Sequence, residues 1–298
     1  MRHATGPVES VPDRLPRGWE TSRAVDGQPR ITVVVAVLNA ATNLAQCLES
    51  VAGQTYPAIE LIVIDGGSTD GSVDIIRAHS NSIAYWVSEP DRGVYDALNK
   101  GIAASTGDWI CVIGADDFFR SNDALALLAP TLASCDADLK LVYASLAIFD
   151  GERELCTLGA GAWQDPNPRL TEVAAVPYPG LMHRRSWFDQ YGLYDPSFKI
   201  AGDYELLLRG RRVERALFVP GLVTVGMRLG GVSNHSGTAF ESLREVGRAH
   251  SRHDIRPGWL YVQKVRIHTL MRYLLQKLWG EAAMWRMRQW RGDALRKP

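Results

Sequence analysis

The sequence lacks any apolar run approaching the ~18 residues that a membrane-spanning helix needs. Its first thirty residues lack the apolar core of a signal peptide, and none of its four cysteines has CxxC spacing. Lys plus Arg and Asp plus Glu number 33 each, so no overall charge points to nucleic acid as a partner. We therefore expect a cytoplasmic globular protein with reduced thiols.

Apolar periodicity is also missing from residues 1–29, which contain four prolines. A segment of this kind cannot bury enough apolar surface to order itself, and we predict a flexible leader. The remaining chain is long enough for one large α/β domain with an appendage.

Four apolar segments alternate with helical patterns between residues 31 and 117. The first, 31–38 (ITVVVAVL), is apolar throughout, as expected of a strand buried on both faces. The others cover 59–64, 83–88 and 109–113. This alternation predicts an α/β fold with a Rossmann-type, mostly parallel sheet flanked by helices.

Each of these segments ends on polar residues. The ends are Asn39, Asp65, residues 89–91, and Asp116 with Asp117. Ligands of open α/β sheets bind at the carboxyl ends of the strands. The ends of the four strands therefore predict one polar, largely acidic site.

The acidic pair Asp116 and Asp117 is a candidate metal site. Carboxylate oxygens are the ligands that Mg²⁺ and Mn²⁺ prefer, and such an ion neutralises charge on a diphosphate. The alternative is that one of the two carboxylates only caps the following helix. Their place at a strand end, beside other polar strand ends, favours the metal.

Three motifs together resemble a known family: 64–72 (IDGGSTDGS), 88–101 (SEPDRGVYDALNKG) and 113–117 (IGADD). With the strand 33–39, they look like inverting glycosyltransferases of family 2, and are similar to bacterial exopolysaccharide and colanic-acid-type transferases. The resemblance implies a GT-A-like catalytic domain over 30–235. Its nucleotide-sugar-binding half would cover 30–117 and its acceptor half 118–235.

The resemblance also implies donor-binding roles. Asp65 matches the acid that accepts a hydrogen bond from the nucleotide base, although an Asp before two glycines also suits a turn. Val37 and Asn39 would line the base and ribose pocket.

A second group matches the loop that borders the donor. Asp91 and Arg92 lie in that loop, and Arg92 could contact a phosphate. Lys100 on the following helix is a further donor candidate. For both cations an ordinary solvated surface position is equally open.

In the family's DxD motif, Asp116 corresponds to the last acid, which contacts the metal, whereas Gly114 stands where the first acid often is. Fewer protein ligands would then hold Mg²⁺ or Mn²⁺, with Asp117 and His235 as further candidate ligands. Water and diphosphate oxygens would complete the shell.

The acceptor side is implied by 201–205 (AGDYE), which resembles the motif whose Asp is the general base. Asp203 is the candidate catalytic residue, with helix capping as the alternative role. Gly202 replaces the usual Glu of that motif. His183, after 179–182 (PGLM), is a candidate for contacting a sugar hydroxyl or the diphosphate, or is structural.

The C-terminal segment has a different character. From residue 261 to 298 it holds nine Lys and Arg residues against two acids, interleaved with tryptophans. We predict a basic helical extension over 236–298. This extension would either bind the anionic inner face of the cell membrane or pack on the catalytic domain with its basic face in solvent.

The leading hypothesis is a transferase that moves a sugar, with inversion, from a nucleotide-diphospho-sugar to a glycan or lipid-linked glycan acceptor in cell-surface or exopolysaccharide synthesis. Two alternatives are a degenerate nucleotide-sugar-binding protein without turnover and a nucleotidyltransferase. The second would be expected to carry a basic, Gly-rich phosphate loop after the first strand, which is absent from residues 38–42.

Overall fold

The computed structural model describes residues 27–159, 176–211, 214–230, 238–256 and 258–279. Most of the predicted leader, the extension beyond residue 279 and His235 lie outside them. The N-terminal elements are β1 (Ile31–Val37), α1 (Leu44–Ala52), β2 (Ile59–Asp65), α2 (Ser72–Ala78), β3 (Tyr85–Ser88), α3 (Val94–Ala104) and β4 (Trp109–Gly114). The predicted alternation of strands and helices is confirmed.

The second half is more irregular. It contains β5 (Phe118–Phe119), α4 (Ala124–Ser134), β6 (Leu141–Asp150), β7 (Arg153–Leu158), β8 (Met182–Arg184), α5 (Arg185–Tyr191), α6 (Gly202–Gly210), β9 (Ala216–Arg228), α7 (Ala239–Arg252) and α8 (Trp259–Trp279). The sequence did not predict β5, β7, β8 or α5. They have two to seven residues each, too few for a periodic pattern to emerge.

The strands of the described residues form one sheet in the order β3-β2-β1-β4-β8-β6-β9-β5, with β7 paired to β6. β3, β2, β1 and β4 are parallel neighbours, and β6 is parallel to β9. β8, β5 and β7 pair antiparallel. The α/β fold class is thus confirmed, and each antiparallel pairing involves at least one strand of the second half, including the pairing of β8 with β4.

Two apolar layers cover the faces of this sheet. Alternate residues of β1 point to opposite faces, as they must in a strand. Val33 and Val35 pack with α1 and α4, whereas Val34 packs with α3, α5 and α6. The continuous apolar run of β1 therefore reflects burial on both sides.

The described part of the predicted helical extension consists of two helices. α7 ends at Arg252 and α8 begins at Trp259, and Asp254 between them has a left-handed φ of 53°. Within the part of the chain that the structure describes, neither of these nor any other helix is long and apolar enough to cross a bilayer.

Helix α7 supports the start of α6 through a buried carboxylate. Glu245 accepts hydrogen bonds from the backbone N–H groups of Lys199, Ile200 and Ala201 at 2.8–2.9 Å. Lys199 and Ile200 precede α6 and Ala201 is its N-cap. The Glu245 carboxylate therefore lies at the N-terminal end of the helix, where the helix dipole favours negative charge. Glu245 thus fixes the chain that leads into α6.

We expect the substitution Glu245→Ala to lower the free energy of unfolding by about 3 kcal/mol or more, because it leaves three N–H groups without their charged acceptor. Urea unfolding measures the loss. Glu241→Ala in the same helix is the matched control and should change stability by less than about 1 kcal/mol. Equal effects of the two substitutions would contradict the capping role.

Candidate active site

The carboxyl ends of four strands meet at one edge of the sheet. Val37 pairs with Asp65, Asp65 pairs with Ser88, and Ala36 pairs with Gly114. The strand-end residues singled out from the sequence therefore lie side by side. What each side chain does there differs from one position to the next.

Asp65 holds the loop after β2. It is fully buried, and its carboxylate accepts hydrogen bonds from the backbone N–H groups of Gly67 (3.1 Å) and Ser68 (3.0 Å) and from the hydroxyls of Ser68 and Ser88. Three of these bonds end on Oδ2 and one on Oδ1, so most of the acceptor capacity of the carboxylate is used. As placed here, Asp65 shapes the loop, and its contact with a nucleotide base stays a prediction.

Asn39 joins the β1 end to this same loop. Its backbone has a left-handed φ of 50°, its N–H donates to Ser68 Oγ (2.7 Å), and its side-chain oxygen accepts from the Thr69 N–H (3.0 Å). The carbonyl of Val37 accepts from the Gly66 N–H at 2.8 Å, while the Val37 side chain is buried. Val37 thus contributes backbone to this edge, and its side chain belongs to the core.

Asp91 lies against the glycines of the β2 loop. Its Oδ1 accepts a hydrogen bond from the Gly93 N–H at 2.8 Å. A Cβ placed on Gly66 would lie only 2.3 Å from Asp91 Oδ2, so the two loops touch. A larger residue at position 66 would have to displace the Asp91 carboxylate, and the contact shows that the β2 and β3 ends form one surface.

The two cations of this region are paired with nearby acids. Arg92 Nη2 lies 2.6 Å from Asp96 Oδ1 with its side chain 76% exposed, and Lys100 Nζ lies 2.6 Å from Glu89 Oε1. The hydrogen bond from Arg92 lowers the pKa of Asp96. The Lys100–Glu89 pair is partly exposed and therefore weak, so an anionic ligand could recruit Lys100. Arg92, in contrast, is held by three hydrogen bonds to the buried Asp96.

The turn after β4 brings two carboxylates together. Asp117 is buried and accepts hydrogen bonds from the N–H groups of Gly114 (3.0 Å) and Arg228 (3.3 Å), while Asp116 is half-buried. Burial, and then the charge of Asp116, raise the pKa of Asp117 to about 7. Burial also raises the pKa of Asp116. The positive charge and N–H donors near the two carboxylates therefore do not fully compensate their negative charges.

Gly114 is required by this turn. A Cβ at position 114 would lie 2.7 Å from Asp116 Oδ1 and 2.9 Å from Asp117 Oδ2. The side chain of the acid that often stands first in the motif would occupy the space that these carboxylates fill. The departure from the family pattern thus has a steric cause in this chain.

Arg228 at the end of β9 is a site residue that the sequence did not single out. Its side chain is buried, its Nη1 donates to the Asp116 carbonyl at 3.0 Å, and Gln46 and Glu152 accept from Nη2. Its guanidinium stacks on Phe118 at 4.7 Å. The positive charge of Arg228 lowers the pKa values of Asp116 and Asp117 and so opposes the effect of burial. Arg228 is 111 residues from Asp117 in the sequence, so only the fold places the two together.

The carboxylate of Asp203 lies on the first turn of α6 and is half-buried. Its Oδ1 accepts from the Tyr204 N–H at 2.7 Å and lies 3.3 Å from the Tyr95 hydroxyl. Ala201 holds the N-cap position, so Asp203 does not act as the N-cap of α6. Burial raises the pKa of Asp203 to about 6, a value that suits a general base near neutral pH.

His183 is not at the sheet edge, which corrects its expected place in the ligand pocket. It is the middle residue of β8, paired with Ile110 and fully buried among Tyr178, Trp187 and Phe188. Burial lowers the pKa of His183 to about 3, so the imidazole is neutral. With no exposed surface it has a structural role.

His235 lies outside the described residues, so its predicted role as a metal ligand stays a prediction. Within the described part of the chain, no cluster of three or more His, Cys, Asp or Glu side chains could hold a metal ion. Asp116 and Asp117 are oxygen donors that suit Mg²⁺ or Mn²⁺, and a bound cation would favour their ionised forms, which burial disfavours. They would hold it together with oxygens from a ligand.

Comparison with known proteins identifies the family of this chain. The sequence profile described as glycosyl transferase family 2 matches residues 32–167. An uncharacterised glycosyltransferase of Mycobacterium tuberculosis (strain H37Rv) is 31% identical over 233 residues, covering 76% of this chain and 86% of the relative. The chain belongs to glycosyl transferase family 2. The predicted family and the predicted glycosyltransferase activity are confirmed.

A second relative from Mycobacterium tuberculosis, a PGL/p-HBAD biosynthesis glycosyltransferase, is 30% identical to the present chain over 184 residues. The match covers 61% of the present chain and 69% of the relative. Among solved structures, Staphylococcus aureus TarS (residues 1–349) superposes with a TM-score of 0.59 at 15% identity, covering 83% and 72% of the two chains. The mannosyltransferase PcManGT from Pyrobaculum calidifontis, in complex with GDP-Man and Mn²⁺, gives 0.57 at 19% identity, covering 87% and 74%. These likenesses confirm a GT-A-like fold.

We expect the substitution Gly114→Ala to impair the transferase although it adds only one methyl group. The new Cβ must displace the carboxylates of the acidic turn, which should lower the free energy of unfolding by about 1–3 kcal/mol and reduce turnover. Thermal unfolding and transferase assays measure both. Gly247→Ala, in open space inside α7, is the matched control: it should leave turnover unchanged and raise the free energy of unfolding by about 0.5–1 kcal/mol, because alanine favours a helix more than glycine does. A fully active Gly114→Ala variant would contradict the steric role.

Proposed function

We propose that this transferase takes its sugar from a nucleotide-diphospho-sugar bound at the carboxyl edge of β1–β4. The supporting observation is the meeting of the β2 loop, the Asp91 loop and the acidic turn at that edge. A TarS structure in complex with UDP-GlcNAc and the PcManGT complex with GDP-Man share the fold. Arg92 and Lys100 are the cations available to the phosphates.

In this proposal Mg²⁺ or Mn²⁺ is held by Asp116, with Asp117 beside it. The bound ion would supply positive charge against the leaving diphosphate. The Mn²⁺ of PcManGT supports this choice of ion. Because the chain offers few ligands, the diphosphate oxygens would share in binding, and metal affinity should depend on the donor.

The proposed reaction is a single displacement with inversion. Asp203 accepts the proton of an acceptor hydroxyl as that oxygen forms a bond to the anomeric carbon. The bond from that carbon to the diphosphate breaks, and its electrons leave with the diphosphate. Oδ1 of Asp203 is already engaged by Tyr204, which leaves Oδ2 for the acceptor hydroxyl. The acceptor in this proposal is a glycan or a lipid-linked glycan.

The alternative of a degenerate nucleotide-sugar-binding protein without turnover depends on Gly114 and Gly202, which stand at positions where the family motifs often have an acidic residue. Both glycines have steric causes, since Asp116 and the Tyr95 ring occupy the space beside them. A site that keeps its carboxylates in place does not need those acids to be active. The nucleotidyltransferase alternative gains no support from the relatives.

We expect Asp203→Asn to lower turnover by at least about 10²-fold, because an amide cannot accept the acceptor's proton. Release of nucleoside diphosphate from UDP-, GDP- or dTDP-sugars with Mn²⁺ measures this. Since protonated Asp203 is inactive and its pKa is raised to about 6, wild-type activity should fall as the pH drops below about 6.

Binding of the donor provides the control for this experiment. Asp203→Asn should keep the increase in melting temperature that donor and Mn²⁺ give the wild type, because a ligand of the folded state stabilises it. Full turnover in the variant would show that Asp203 is not the base. No thermal shift with any donor would contradict the proposed donor site.

We also propose that α8 places the enzyme on an anionic membrane surface. The helix carries Lys264, Arg266, Arg272 and Lys277 and has no acidic residue. Its exposed apolar residues recur at helical spacing: Ile267, Leu270, Met271, Leu274 and Leu278. A groove of about 310 Å³ lies between α7 and α8 beside Ile267 and Leu270. Apolar side chains and cations on one helix match the chemistry of an anionic bilayer surface.

Co-sedimentation with vesicles tests this surface. We expect the wild type to bind phosphatidylserine-containing vesicles, to bind neutral vesicles more weakly, and to dissociate in high salt. The double substitution Leu270→Ser and Leu274→Ser should weaken binding. Leu127→Ser, at an exposed leucine of α4, is the control and should not. Equal binding of all variants, or self-association through α8 in place of vesicle binding, would overturn the proposal.

A further inference from the structure

The hydroxyl of Tyr95 lies beside the candidate base. It donates a hydrogen bond to the Ile200 carbonyl at 2.7 Å and lies 3.3 Å from Asp203 Oδ1. Tyr95 is on the first turn of α3, and its ring is buried. A side chain from the N-terminal half of the domain therefore reaches the residue on which acceptor chemistry is proposed to depend.

The Tyr95 ring fits here only because position 202 is glycine. A Cβ on Gly202 would lie 2.7–2.9 Å from three ring carbons of Tyr95. On another side, the ring stacks on Tyr194 with the ring centroids 5.3 Å apart. Asn99 of α3 fixes the Tyr194 backbone through hydrogen bonds of 2.9 and 3.0 Å. The ring is thus held from two directions.

We propose that Tyr95 is a positioning residue that holds Asp203 in one orientation in both of its protonation states, with Gly202 providing the necessary space. This rests on the proposed role of Asp203 as the base. A hydroxyl has one donor and two acceptor lone pairs. Its single hydrogen faces both the Ile200 carbonyl (2.7 Å) and Asp203 Oδ1 (3.3 Å), so it can turn to the ionised carboxylate; when Asp203 has taken a proton, the hydroxyl can accept from the carboxylic acid while it donates to Ile200.

The groups around Asp203 explain why this role falls to Tyr95. Tyr178, Tyr194 and Glu245 also influence Asp203 electrostatically, and the charge of Glu245 raises its pKa. The Glu245 carboxylate is occupied by hydrogen bonds from three backbone N–H groups. The hydroxyls of Tyr178 and Tyr194 form a hydrogen bond with each other. Among the hydroxyls of the described residues, only that of Tyr95 lies within hydrogen-bond distance of the Asp203 carboxylate.

The arrangement also connects donor and acceptor sides. Asp91, which contacts the β2 loop, bonds to the Gly93 N–H just before α3, and Tyr95 follows two residues later. The motif 88–101 therefore contains both a loop of the proposed donor site and Tyr95, which lies beside the proposed base Asp203.

The substitution Tyr95→Phe keeps the ring and removes the hydroxyl. We expect kcat to fall about three- to tenfold, the loss of one hydrogen bond, while KM for the nucleotide-sugar is unchanged. The hydroxyl favours ionised Asp203, so its removal should move the acidic limb of the pH–kcat profile to higher pH. A role in packing alone would not move that limb.

Tyr56→Phe is the matched control, because Tyr56 is also buried and its hydroxyl donates to the Pro29 carbonyl. It should reproduce any loss of stability without changing the pH profile. Gly202→Ala, which displaces the Tyr95 ring, should shift the limb in the same direction as Tyr95→Phe. A Tyr95→Phe variant with wild-type kcat and pH profile would overturn the inference.

The two proposals fail in different ways. If Asp203→Asn keeps full turnover, the base itself is misassigned and the role of Tyr95 falls with it. If Asp203→Asn is inactive while Tyr95→Phe matches the Tyr56→Phe control in kcat and pH profile, only the positioning role is wrong. Donor-induced thermal shifts, measured on every variant, confirm that each one folds and binds.

Discussion

The parallel, in-register pairing of β1 with β2 and β4 is the constraint on which the rest of the site depends. Because paired residues of parallel strands advance together, Val37, Asp65 and Gly114 reach the same edge. Each strand then releases its chain into a loop at that edge. The β2 loop, the Asp91 loop and the acidic turn can meet only while this register holds.

Packing at that edge explains the two departures from the family's motifs. Gly114 and Gly202 each stand where an acid is frequent, and at each a Cβ would collide with a functional side chain. At position 114 the neighbours are the carboxylates of the acidic turn, and at position 202 the neighbour is Tyr95. In both cases the small residue preserves the position of a charged group nearby. Loss of an acid from a motif is therefore not equivalent to loss of function.

Burial of charge is the common electrostatic theme. Asp116, Asp117 and Asp203 all have raised pKa values because burial disfavours their ionised forms. Arg228 and backbone N–H groups offset this at the acidic turn. Carboxylates that lack full compensation suit ligands that bring positive charge or donate a proton. The same burial that is unfavourable for folding thus prepares the proposed chemistry.

The sequence by itself determined the alternation of strands and helices, the acidic strand ends and the family, since these depend on local periodicity and on contiguous motifs. It also singled out Asp116 and Asp203. The short elements β5 and β8, the buried position of His183 and the break between α7 and α8 were beyond it. Tertiary structure alone decided the roles of Arg228, Tyr95 and Glu245, which act on residues 44 to 112 positions away. Contacts across such separations depend on how the sheet and helices pack, and no local pattern in the chain records them.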